Sequence, residues 1–210
     1  LFSAYKFLPV GLGTSISRAF STIFVSLFGW LFLQQHLSVT AMVLIAVILI
    51  GVLLLGIQHE HVSHLDRRFG LGIAFAILGS VPVAFAIYVF AMLSREMSPF
   101  VSGYFWETSI AVCCALLLCM RAFFFRTPLQ RVDAKTFLVI SACSAPTLIG
   151  TGLMGLAARQ GPVGVVHSIG SGLLVVAALL AWMLYNEKLR LGEWISMLLI
   201  LLGIIGLRFV

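Results

Sequence analysis

Gly161–Phe209 reads GPVGVVHSIGSGLLVVAALLAWMLY, then NEKLRLGE, then WISMLLILLGIIGLRF: two apolar runs joined by a short charged turn. Each run is about 20 residues, enough for a helix at ~1.5 Å per residue to cross a hydrocarbon core of ~30 Å. The same pattern occurs earlier in the chain. Pro9-Val10-Gly11 matches Pro162-Val163-Gly164, Trp30 matches Trp182, and Gly51 matches Gly203. Gln35-His36-Leu37 takes the place of Glu187-Lys188-Leu189. The matches lie 153 residues apart at the start and 152 later, so one residue of slippage falls inside the first helix. A helix pair has been duplicated and has diverged. Membrane proteins built from such repeats are typically carriers.

Composition fixes the class. The 210 residues are 61% hydrophobic and 10% charged, with a mean hydropathy of +1.15. A soluble domain carries about 25% charged residues, and a wet surface cannot be made from so few. The chain is read as an all-α polytopic membrane protein whose surroundings are a lipid bilayer. Its net charge of +6 is no nucleic-acid footprint. The Lys and Arg residues lie mostly between apolar runs, with no basic stripe interleaved with aromatics, and so form a topology signal. Cys113, Cys114, Cys119 and Cys143 sit inside apolar segments without C-x-x-C spacing, which marks them as small packing residues. No cleavable signal peptide is visible.

Taken in order, Leu1–Tyr5 reads as the tail of a helix. Spans follow at Val10–Leu33 and Val39–Ile57, then a polar linker, Gln58–Arg68 (QHEHVSHLDRR). Five more spans follow: Gly70–Leu93, Phe100–Met120, Thr136–Ala157, Gly161–Tyr185 and Gly192–Leu207. The expected organisation is residues 1–57 as the end of a first repeat, 58–69 as linker and 70–210 as a complete second repeat of five helices. Carrying the offset back from Gly70 starts the first repeat roughly 80 residues before Leu1, which implies an internal start and a full protein of about ten helices. Two five-helix units cross the membrane an odd number of times each and must face opposite ways, the layout of inverted-repeat transporters.

Two such repeats, each with a P-V-G start, an apolar run ending in Trp, a short turn and a second run with G-I-I-G or its like, resemble the EamA-type drug/metabolite transporter superfamily. The clearest residues are Glu187-Lys188-Leu189, Trp194 and Gly203, and Gln35 departs from the family's usual Glu. The resemblance implies a secondary transporter, an exporter or exchanger, in a bacterial inner (plasma) membrane. It would move a small organic metabolite, amino acid or drug by alternating access, with proton coupling. It calls for no cofactor or metal. A non-transporting membrane subunit or assembly factor is the alternative. An enzyme is not expected: Asp66 and Asp133 lie in loops, and Ser168 beside His167 makes no catalytic pair.

Sidedness follows from charge. Lys6, Arg67, Arg68, Arg121, Arg126, Arg131, Lys135, Lys188 and Arg190 fall on one side, Arg95, Arg159 and Arg208 on the other. The positive-inside rule makes the first group cytoplasmic and puts the C-terminus outside. Ten-helix relatives are expected to keep both termini inside. The charge count is preferred here, and a cysteine at Gln130 is the natural probe.

Candidate site residues are the polar groups within spans, because an ionised side chain there costs roughly 2.5–3.5 kcal/mol on insertion scales and normally faces a cavity or a partner. Glu107 is read as a carboxylate that binds a proton or a substrate cation. Arg18, roughly 12 Å into its span, is read as holding an anionic group or pairing with Glu107; the competing reading is that its long stem snorkels to the surface. His167 sits among Gly and Ser residues that permit close helix approach, and relatives border their cavity with the helices that carry Arg18 and His167. Tyr88, Trp106 and Tyr104 are aromatic candidates for stacking on a substrate, against a role as interface anchors. Pro82 and Pro146 are read as interruptions and hinges, and Gly150, Gly152 and Gly155 as close-packing positions. Glu187 fixes a turn. His59-Glu60-His61-Val62-Ser63-His64 lacks the four-residue histidine spacing of a zinc-protease helix and reads as solvated linker.

Overall fold

A backbone polar group left unpaired in hydrocarbon is strongly unfavourable, so segments this apolar must close their hydrogen bonds within helices. The computed structural model describes residues 4–8, 10–58, 67–125, 133–185 and 189–209. A 3-10 turn at Ala4–Lys6 precedes α1 (Val10–Leu33), α2 (Val39–Gln58), α3 (Arg67–Glu96) and α4 (Pro99–Phe125). Then come α5 (Ala134–Gln160), α6 (Val163–Gly170), α7 (Leu173–Tyr185) and α8 (Leu191–Leu207). No strand occurs among the described residues. The fold is all-α and polytopic. Among the described residues six stretches are long and apolar enough to span a membrane, α6 and α7 together making the sixth, and α8 is a shorter apolar helix of 17 residues. The histidine-bearing linker, the Glu187-Lys188 turn, Pro9 and the Gln130 loop lie outside the described residues, as does the side chain of Cys143.

Three expectations are corrected. Residues 161–185 are not one helix: the chain breaks at Ser171-Gly172, where the N–H groups of Ser171, Gly172, Leu174 and Val175 bond carbonyls three residues back instead of four. Gly170-Ser171-Gly172 is a run of poor helix formers, each glycine costing ~1 kcal/mol relative to alanine and the serine offering the backbone a competing hydroxyl. Pro82 and Pro146 do not interrupt their helices; α3 and α5 continue through them. Cys113, Cys114 and Cys119 are free thiols exposed on α4, not packing residues.

The described chain forms two compact units, Leu1–Tyr88 with Gly161–Val210, and Val89–Gln160. In the first, α2 lies along α8 over a core that includes Ile45, Ile48, Val52, Met197 and Ile200. Glycine sets the approach. A β-carbon at Gly51 would meet Ile200 Cγ1 at 2.8 Å and the Ser196 carbonyl at 2.9 Å. One at Gly203 would meet Ile48 Cγ1 and, at 3.1 Å, the Leu44 carbonyl. At the single offset of 152, position 51 corresponds to 203, 48 to 200 and 44 to 196. The contact is therefore reciprocal, as in an isologous interface about a two-fold axis. In the second unit α4 meets α5 equally closely: a β-carbon at Gly103 would sit 3.4–3.6 Å from the backbone at Thr151 and Gly152, and one at Gly152 would meet Phe100 at 2.5 Å. Gly155 is similarly confined by Ser94 and Phe90, whereas Gly150 faces open space.

Candidate functional site: a polar seam at a broken helix

Helix α1 carries Thr14, Ser15, Ser17, Arg18, Ser21, Thr22 and Ser26 at spacings that return every three or four residues, so one strip of an otherwise apolar helix is polar. Ser15, Ser17, Ser21 and Thr22 are buried. The strip runs against α6 in antiparallel register. Ser26 closes on Gly164, Ser21 Oγ meets His167 Nε2 at 3.0 Å, and Arg18 Nη2 donates to the Gly170 carbonyl at 3.3 Å. Arg18 and Gly170 are 152 residues apart, and the repeat offset passes from 153 to 152 within this helix, so the guanidinium reaches to within one residue of its own counterpart position. The bond also lies where α6 ends, at a carbonyl of the kind a helix terminus leaves without an intrahelical donor.

Hydrogen-bond accounting assigns the histidine tautomer. The Ser21 hydroxyl donates to the Arg18 carbonyl at 2.9 Å, and Thr22 donates to the same carbonyl at 2.9 Å. Ser21 has then used its one proton, so His167 Nε2–H donates to Ser21 Oγ. That leaves His167 Nδ1 as an acceptor, buried and without a partner, and Ser171 Oγ and Ser26 Oγ are in the same condition. His167 is 2% exposed and Ser171 0%. Arg18 is half-buried and keeps exposed surface.

Tyr88, also in the first unit, packs in an aromatic group with Phe28, Phe32 and Phe85, ring centroids 5.5–6.3 Å apart. Phe28 is ten residues beyond Arg18 on α1, about 15 Å along the helix, so Tyr88 does not share the Arg18 site. Glu107 and Trp106 belong to the second unit. The Thr151 hydroxyl donates to Glu107 Oε1 at 2.6 Å, and Trp106 meets Phe90 edge-on at 5.3 Å. Tyr104 is exposed on α4 beside Phe105. Arg18 and His167 are thus the two candidates that the fold brings onto one seam.

Residues 70–209 match the profile of the EamA-like transporter family. The chain belongs to that family. It is accordingly a membrane transporter of the drug/metabolite type. A crystal structure of a protein superposes on 99% of this chain and 71% of its own length, with a TM-score of 0.75 and 18% sequence identity, a likeness of fold. No curated protein matches significantly.

Several contributors to this candidate site in the EamA-family chain were not singled out from sequence. Ser21 and Ser171 are ordinary helix serines until α6 is laid against α1. Gln35, read as a turn residue, accepts the Val163 N–H at 3.0 Å and so caps α6 from the other helix pair. Glu193, 4% exposed, accepts the Arg190 N–H at 2.6 Å in the first turn of α8. It also borders a cavity of about 380 Å³ shared with Thr14, Ser15, Gly56 and Ala178. A larger groove, about 570 Å³, runs between α1 and α2 past Ile23, Ser26, Trp30, Gln35 and Met42. The one prior signal was arithmetic: Gln35 and Glu187 occupy matched repeat positions, and Arg18 and Gly170 do so to within one residue.

Proposed function

We propose that the protein is a secondary transporter, in a bacterial inner membrane, that moves a small organic metabolite, amino acid or drug by alternating access. Residues 1–57 and 70–210 would act as inverted repeats rocking against each other. One observation carries this reading. Well inside its span, the charged Arg18 side chain is bonded to the Gly170 carbonyl, at a helix break and beside buried polar atoms that lack partners. A guanidinium so placed caps the end of α6 and keeps open donors, and a carrier needs such polar groups where its repeats meet within the membrane.

Proton coupling is assigned to Glu107, whose carboxylate already accepts a hydroxyl hydrogen bond from Thr151. The test is transport by the full-length protein in proteoliposomes, with a panel of amino acids, organic acids and cationic drugs and an imposed pH gradient. The wild-type protein is expected to move at least one class. Glu107→Gln is expected to uncouple uptake from the gradient, lowering gradient-driven flux about tenfold while exchange persists. Gradient-driven flux unchanged in Glu107→Gln rules out the coupling role.

A further inference from the structure

We propose that Arg18 is the carboxylate-recognition residue of the transport site, and that the Gly170 carbonyl holds its guanidinium until an anionic or zwitterionic substrate displaces it. The inference rests on the transporter reading and adds the substrate class. It starts from an imbalance. Arg18 is permanently charged and carries five N–H donors, yet among the described residues of the first unit it donates to one neutral carbonyl, at 3.3 Å, and meets no carboxylate. Snorkelling does not account for it, because the guanidinium is held at Gly170, at the break, and not at the end of α1. Its remaining surface is open to a ligand.

The surroundings suit the two ends of a zwitterion. Ser171 Oγ, directly after Gly170, is a buried hydroxyl without a partner that can donate to a carboxylate, whereas His167 Nδ1, one turn before it, is a buried acceptor suited to an ammonium group. A single planar guanidinium suits a carboxylate in a forked pair, with N···O distances of about 2.7–2.9 Å, and such a pair outcompetes a long bond to a neutral carbonyl. A phosphate would call for more positive charge, and the other described cations lie at or near helix ends. Displacement has a structural consequence. It frees the carbonyl at the break and removes a bond that ties α1 to α6 at repeat positions matched to within one residue, so substrate binding and the movement of one repeat against the other would be linked.

The experiment uses the full-length protein in proteoliposomes and counterflow of amino acids and monocarboxylates, each tested beside its own amide. The expected result is that carboxylate compounds are moved and their amides are moved at least tenfold less well. Arg18→Lys keeps a cation for the Gly170 carbonyl but loses the fork; it is expected to raise KM for the carboxylate about tenfold with little change in unfolding temperature. Arg18→Gln is expected to abolish the carboxylate preference, and if it does not fold, Arg18→Lys carries the test alone. Equal transport of carboxylate and amide, an unchanged KM in Arg18→Lys, or transport confined to cations and neutral compounds overturns the proposal while leaving the transporter standing. Transport of nothing in the wild-type panel overturns the transporter reading, and this inference with it.

Discussion

At the scale of single residues the glycines separate into those that hold helices together and those that do not. Gly51 and Gly203 allow α2 and α8 to approach until a β-carbon would lie within 2.9–3.1 Å of a facing backbone carbonyl. Backbone cannot move aside as a flexible side chain can, so Gly51→Ala and Gly203→Ala are each expected to destabilise by about 1–3 kcal/mol, the usual cost of overpacking. Gly150→Ala and Gly170→Ala meet nothing within 4 Å and are expected to be neutral or to stabilise by about 0.5–1 kcal/mol. Thermal unfolding of the four variants in detergent checks the contrast; equal melting temperatures would show that the α2–α8 contact is looser than described. Site residues were legible only as chemistry out of place. Arg18, His167 and Glu107 stood out because lipid penalises them, but their partners did not, since a serine or a backbone carbonyl looks the same in sequence whether or not an arginine points at it.

Helices were legible because hydrocarbon leaves few alternatives: the first predicted span, Val10–Leu33, is α1 to the residue. The break at Ser171-Gly172 was not, since hydropathy averages over a whole crossing and two glycines with a serine barely lower it. Caps were hidden for a different reason, their donors and acceptors coming from elsewhere in the chain. Gln35 Oε1 accepts the Val163 N–H, and Gly29 leaves room for it, a β-carbon there falling 3.0 Å from the same oxygen. Gln35→Ala is expected to cost about 1 kcal/mol, the usual loss of a helix cap, while Gln35→Glu keeps the acceptor and adds a charge the amino end of α6 favours. Denaturation midpoints ordered Ala below Gln and Glu at or above Gln would establish the cap; an unaffected alanine variant would remove it. The residue before, Gln34, ends α1 with φ of 50°. A side chain is strained in that left-handed region, so Gln34→Gly is expected to stabilise by about 0.5–1 kcal/mol. A lower melting temperature instead would mean that the Gln34 side chain holds the turn in some other way.

At the scale of the whole chain, helix contacts in the first unit pair matched sequence positions. Gly51 against Ile200 and Gly203 against Ile48 are one contact written twice, and Arg18 meets Gly170 within one residue of its own counterpart. Which face of the membrane is which depends on loop charge. Arg121 and Lys135 flank the α4–α5 connection, on the side that carries most of the cations, while Arg159 and Arg208 lie on the other. Holding the richer side in the cytoplasm places Asp133, exposed just before α5, inside the cell, and Phe209, exposed after α8, outside. Single cysteines at these two positions, in full-length protein with Cys113, Cys114, Cys119 and Cys143 replaced by serine, distinguish the orientations. A membrane-impermeant maleimide applied to intact cells is expected to label Phe209→Cys and to spare Asp133→Cys until the membrane is opened. The reverse pattern would mean that these loop charges do not set the sidedness. The inferred carboxylate site would be untouched, because the contact between Arg18 and Gly170 does not depend on which face of the membrane is cytoplasmic.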